Sequence, residues 1–380
     1  MPLHRVIWGY LLAACTLLPL QAMAQRPPLS TPARDAEIIE RLPRGYIDLM
    51  PAAAAPTDRQ GRLTRARQLL DTAARTGDSR LASHAEALLA TVPDADATPD
   101  LLRARAYAAQ YRHDFEGALG ALDRLTSANP RDGDARLFRA QILLVQGRLD
   151  EVRAECAALA LGVDSSSGLL CVAALALRTG NFEGAERMLD RWLGDAGGDQ
   201  GQRRYALTMR AEAASRAGRA DATARFQRAL ALDKGDVRTL AAFARHLRQQ
   251  GRHQDVLRLL DSAPESDPLD LERALAARAT NGPDAAQLIA AQRRGYALAR
   301  AVGTEPELRD EALFVLVLQD DAQRALQLAS KNFSTQRDAE DVDILMRAAR
   351  AAGRPEALQP LQAWASKHGL QLPADRERTP

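Results

Sequence analysis

Gly147-Arg148-Leu149-Asp150-Glu151-Val152 closes one helical run and opens another. The chain repeats the move at Gly180-Asn181-Phe182-Glu183-Gly184-Ala185, Gly218-Arg219-Ala220-Asp221-Ala222 and Gly251-Arg252-His253-Gln254-Asp255-Val256. The four leading glycines stand 33, 38 and 33 residues apart. Upstream, His113-Asp114-Phe115-Glu116-Gly117-Ala118 has the same shape, and the steps from Ala118 through Val152, Ala185, Ala222 and Val256 are 34, 33, 37 and 34. The long step coincides with an insertion, Gly194-Asp195-Ala196-Gly197-Gly198-Asp199-Gln200-Gly201. A fixed period in this range marks stacked repeats. Each unit reads as helix–turn–helix; in the first, the helices run from Leu101 to Tyr111 and from Glu116 to Ser127. Glycine at the reversal avoids a Cβ penalty. The small residue that follows lets the two axes approach, and a larger one there would cost on the order of 1–3 kcal/mol. One hairpin cannot bury its own apolar face, so neighbours must stack.

These positions resemble the tetratricopeptide repeat. Ala106, Ala118, Leu122 and Pro130 match its pattern of small residues, a large residue and a closing proline. So do Ala140, Gly147 and Val152; Ala173, Gly180 and Ala185; Ala211, Gly218, Ala222, Phe226 and Ala229; and Ala244, Gly251, Leu260 and Pro268. The family's early tryptophan is absent, and Ala or Leu replaces its first-helix tyrosine. The resemblance implies an all-α fold, a right-handed α-solenoid of stacked helix-turn-helix repeats.

Composition agrees. Apolar residues make up 46% of the 380, yet aromatics are only 4%, because alanine, the best helix former, carries much of the apolar share. Alternating β-branched runs that would signal strands are nearly absent. Net charge is +2, and the arginines are interspersed with Asp and Glu, which reads as solvated helix faces. That pattern argues against nucleic acid, which would need a one-sided basic stripe.

Outside the repeats, residues 1–24 read as a secretory signal: His4 and Arg5, an apolar run from Val6 to Leu20, then Ala22-Met23-Ala24 with cleavage after Ala24. The run is shorter than the ~20 residues of a membrane span, so no span is expected in the mature chain. Leu12-Ala13-Ala14-Cys15 supports a competing reading, a lipoprotein anchored at Cys15. Residues 25–60 form a proline-rich extended arm, 61–98 an N-terminal hairpin cap turning at Gly77-Asp78, and 99–268 about five repeats. Residues 269–372 are degenerate hairpins and a C-terminal cap, and 373–380 a tail. The expected location is the periplasm or beyond, with an outer-membrane lipoprotein as the alternative.

No catalytic constellation, metal spacing or cofactor fingerprint emerges, so no enzyme and no cofactor are expected. Ser165-Ser166-Ser167-Gly168 reads as a polar loop between repeats. Asp320-Asp321 and Glu340-Asp341 read as turn or helix-start acids. The six histidines read as scattered surface residues. Removing the signal leaves Cys156 and Cys171, on successive helices of neighbouring units. They are read as a disulfide permitted by an oxidising compartment, against the alternative of two buried thiols.

In tetratricopeptide arrays the first helices line the concave groove. Carried onto this chain, the resemblance nominates Arg103, Tyr107, Tyr111, Gln141, Arg178, Tyr205, Glu212, Arg245 and Arg248 as partner-binding. The family's carboxylate-clamp subtype needs asparagine where Tyr107, Gln141, Ala174, Glu212 and Arg245 stand, so clamp activity is not implied. Mixed Tyr and Arg suit a protein or peptide surface. The expected function is an exported, non-enzymatic scaffold or adaptor. The alternative is an accessory lipoprotein of an envelope assembly or secretion machine; a cell-wall hydrolase on a helical superhelix is disfavoured.

Overall fold

The computed structural model describes residues 56, 58–94, 97–195, 198–301 and 305–372. The expected signal and Cys15, nearly all of the proline-rich arm and the tail at 373–380 lie outside them. Eighteen α-helices and no strand occur among the described residues. They pair into nine consecutive hairpins: α1 (Arg59–Thr76) with α2 (Ser79–Ala90), α3 (Pro99–Tyr111) with α4 (Phe115–Ala128), α5 (Gly133–Val145) with α6 (Leu149–Ala158), and α7 (Ser165–Arg178) with α8 (Phe182–Gly194). Next come α9 (Gln200–Arg216) with α10 (Ala222–Leu230), α11 (Val237–Gln249) with α12 (His253–Leu260), and α13 (Asp267–Ala279) with α14 (Ala285–Ala301). The last two are α15 (Leu308–Leu318) with α16 (Ala322–Thr335), and α17 (Ala339–Ala351) with α18 (Gln359–His368).

Two local devices write this pattern. Inside every hairpin one residue takes positive φ: Gly77, His113, Gly147, Gly180, Gly218, Gly251, Asn281, Asp320 and Gly353. In most of them the next N–H reaches five residues back, as Arg148 to Leu143 and Asn181 to Ala176, which satisfies carbonyls orphaned by the helix end. Acids then start helices. The side chains of Asp58, Asp78, Asp114, Asp132, Asp164, Asp199, Asp236 and Asp321 each accept a first-turn backbone N–H. Ser165–Gly168 is therefore the first turn of α7, not a loop, because Asp164 caps it.

Alanine sets the spacing between helices. Ala106, Ala118, Ala173, Ala185, Ala211 and Ala244 have no accessible surface. Larger residues such as Phe226, Leu122 and Leu189 fill the space between hairpins. Cys156 on α6 and Cys171 on α7 are bonded, with Cα atoms 5.3 Å apart, across a short π-helical turn at Leu159–Val163.

The arginines are not only solvated faces, as expected from sequence. Pairs of them clamp buried carboxylates between helices. Glu155 meets Arg136 at 3.0 Å and Arg139 at 2.5 Å. Glu186 meets Arg225 at 2.9 Å and Arg219 at 3.2 Å. Glu311, 1% exposed, is held by Arg300 and Arg324. Such an acid, packed between helices, requires compensation that a single exposed pair does not supply.

The array also closes on itself. The Arg337 N–H donates to the Val145 carbonyl at 2.7 Å, and its guanidinium to that of Gln146 at 2.8 Å. Trp364 Nε1 donates to the Gly147 carbonyl at 2.9 Å. His113 Nε2 lies 3.0 Å from Glu307 Oε2. A Cβ on Gly77 would sit 3.4 Å from Val237 and 3.6 Å from Ser266. The turns of the first three hairpins thus rest on the sixth to ninth, so successive coils of the superhelix touch.

Candidate binding surface

The nominated residues all lie on first helices of their hairpins and divide into three groups. Arg103, Tyr107 and Tyr111 share α3. Arg103 is tied to Asp132 at 2.9 Å. Tyr107, 43% exposed, stacks on Phe138 with ring centroids 4.3 Å apart. Burial pushes the Tyr111 phenol up to about 12.

The second group is drawn together. Gln141 and Tyr205 line one groove with Leu137, Leu144, Leu170 and Ala174. Beyond Tyr205 the groove becomes cationic. The Arg238 guanidinium lies 4.7 Å over the Tyr205 ring, and Arg216 lies 5.0 Å over Phe182 while donating to the Leu177 carbonyl at 2.9 Å. Glu212 acts electrostatically on Arg178, Arg216 and Arg238 alike. Among the described residues neither Arg238 nor Arg216 has a carboxylate within 4.0 Å. Burial, with Arg216 nearby, draws the Arg178 guanidinium down to about 10. That residue is committed to the chain itself, meeting Asp338 and the Arg337 carbonyl.

The third group is engaged internally. Arg245 pairs with Glu340, and Arg248 grips Glu272 through two bonds of 2.7 and 3.1 Å. They border a cleft of about 40 Å³ shared with Arg309, Asp310, Asp343 and Arg347. Burial would lower the Arg309 guanidinium, but Asp310, Glu307, Asp341 and Glu340 hold it well above its ordinary value. Burial pushes the carboxyls of Asp310 and Asp341 up to about 6. Opposite charges balance in this cleft, so it is a self-satisfied network. Reading Glu340-Asp341 as helix-start acids located them but missed the cleft, because the partners come from hairpins that only the coil brings near.

Three histidines depart from the surface reading: His368 packs its nearly buried ring edge-on to Trp364, 3.9 Å from Asp150. His246 is 4% exposed, bonded to Ser215 at 2.7 Å and Thr223 at 3.2 Å. His113 takes part in the contact between coils. Burial would lower its imidazole, but the hydrogen bond and charge of Glu307 raise it overall. No group of three potential metal ligands occurs among the described residues. No helix among them is long and apolar enough to cross a membrane.

With this geometry the molecule is a tetratricopeptide-like α-solenoid. Among solved structures, it is similar to the APC/C hetero-tetramer Cut9–Hcn1, with a TM-score of 0.51, 15% identity, and coverage of 83% of this chain and 62% of that one. It also resembles the human IFIT1 dimer with m7Gppp-AAAA (TM-score 0.47, 16% identity, 81% and 72% covered) and yeast Tom70 (0.27, 10%, 80% and 84%). At these identities the likeness shows the fold alone. The chain spans less than two thirds of that first structure. No protein-family model matches the sequence, and no curated protein matches it.

Proposed function

We propose that the protein is an exported, non-enzymatic scaffold that holds a protein or an extended peptide segment on its inner face, between the third and sixth hairpins. The observation that carries this is the Tyr205–Arg238 stack. A guanidinium with no carboxylate within 4.0 Å among the described residues is held over an aromatic ring at the end of an apolar groove. Tyr and Arg at such a place are recurrent binding anchors. A segment with an apolar side chain for the groove and a carboxylate for Arg238 and Arg216 complements it in shape and charge. The Cys156–Cys171 bond supports an oxidising compartment, and with it export.

The test is comparative capture from the native envelope with wild type, a Tyr205→Ala/Arg238→Ala double variant, and Arg228→Ala on the outer helix α10 as baits. A protein retained by wild type and Arg228→Ala but lost by the double variant supports the proposal. The same set on all three baits refutes it. Intact mass distinguishes a chain starting at Gln25 from one acylated at Cys15.

A further inference from the structure

His113 stands where six of the nine hairpins use glycine, at φ 58°. A non-glycine residue in that region costs on the order of 1 kcal/mol, so its retention calls for a compensating contact. The contact is present: Nε2 reaches 3.0 Å to Glu307 Oε2, from the second hairpin to the segment that starts the eighth. Glu307 is also the cap of α15, and it accepts from Gln336 Nε2 at 3.3 Å. One hairpin earlier along the same seam, the turn at Gly77-Asp78 faces Ser266 and Asp267. Acids therefore stand near one another at two of the three places where the coils touch.

We propose that this contact is a proton-operated clasp: closing the superhelix takes up protons at His113 and at the acids beside the seam. Mildly acidic solution then holds the coils together and alkaline solution releases them. Around His113 the facing groups are Glu307, Arg309 and Asp310; around Asp78 they are Arg80 and Asp267. His113, Asp78 and Asp310 act in one direction, with Arg245 also facing Asp310. His368, 3.9 Å from Asp150 across the third contact, is lowered chiefly by burial, so its contribution is present above 6.5 and opposes them only below that. The raised His113 contributes stability that is full below its ordinary 6.5 and lost as pH rises through its folded value. Burial lifts Asp78 and Asp310 to about 6 from 3.8, so theirs is likewise present at low pH and lost through about 6. Glu307 has the opposite sign. Burial would raise it, but His113 and Arg309 bring it to about 2, so its contribution is present above 4.5 and fails only as pH falls towards 2. From alkaline pH down to about 6 the clasp therefore tightens.

The experiment is hydrogen exchange on the full chain at about pH 6 and about pH 8.5, corrected for intrinsic rates. The reporter is the Arg337 amide, bonded across the seam to Val145, and the references are amides within single hairpins. Its relative protection should fall about two- to fivefold at the higher pH, the scale of a half-exposed ion pair. His113→Gly keeps the turn, as at its sibling positions, and should shrink that fall to the share that Asp78 and Asp310 supply. Glu307→Gln retains a capping oxygen for the Arg309 N–H and should do the same. Unchanged protection in wild type, or an equal fall in both variants, would overturn the clasp. This outcome is independent of what the inner face binds.

Discussion

Gly147→Ala tests the coil-on-coil contact by separating it from the ordinary cost of a left-handed turn. Gly147, Gly180 and Gly251 sit at φ 68°, 82° and 72°, so alanine pays a similar backbone cost at each, about 1–2 kcal/mol. Their surroundings differ. A Cβ at Gly180 or Gly251 meets nothing within 4 Å. At Gly147 it would lie 2.9 Å from Arg337 Cδ, 3.0 Å from Arg337 Cβ and 3.0 Å from Trp364 Cζ2. The Arg337 Cβ cannot swing away, because its own N–H is held by Val145. Overpacking adds about 1–3 kcal/mol there, for roughly 2–5 kcal/mol in all. Urea titrations followed by circular dichroism and tryptophan emission give the comparison, since the Trp364 indole lies at the seam. Two probes are needed because repeat arrays can depart from two-state unfolding. Equal losses at all three glycines would refute the contact between coils.

Other outcomes follow from the same contacts. Reducing Cys156–Cys171, or replacing both with alanine, should cost about 3 kcal/mol, read as a lower melting temperature with reductant. Arg248→Ala leaves Glu272, 4% exposed, without its bidentate partner, and should cost about 3–5 kcal/mol in a denaturant titration even with no binding partner present. The buried His246 imidazole, lowered by burial and by Arg252, contributes stability that is present above 6.5 and lost as pH falls through its depressed value. Its proton resonances should therefore titrate below 6.5, opposite in sense to His113.

The hairpins were legible because their signals are local. A turn glycine and a small residue on each helix recur at fixed steps, and both act within one unit. His113, Asn281 and Asp320 were harder to see, because each holds a left-handed turn without glycine. The period blurs at Asn281 and Asp320 for that reason, although the hairpins continue. The inner-face nomination brought Gln141 and Tyr205 into one groove, because both project from first helices. It also put Arg178, Arg245 and Arg248 on that face but could not show that the chain itself engages them. Their partners lie in later hairpins, and what brings those near is a small rotation per repeat accumulated along the array. No short motif records that rotation. Arg238, the guanidinium that defines the candidate surface, also projects from a first helix, but its position over Tyr205 depends on how adjacent hairpins pack.

The most direct measurement of the account is site-specific photocrosslinking in the native envelope, with the reactive group at Tyr205, at Tyr107 and at Arg228 on the outer helix. The account predicts one dominant adduct from Tyr205, at most a weaker copy of it from Tyr107, and none of it from Arg228. No adduct at Tyr205, or the same adducts from Arg228, would contradict the inner face as the working surface.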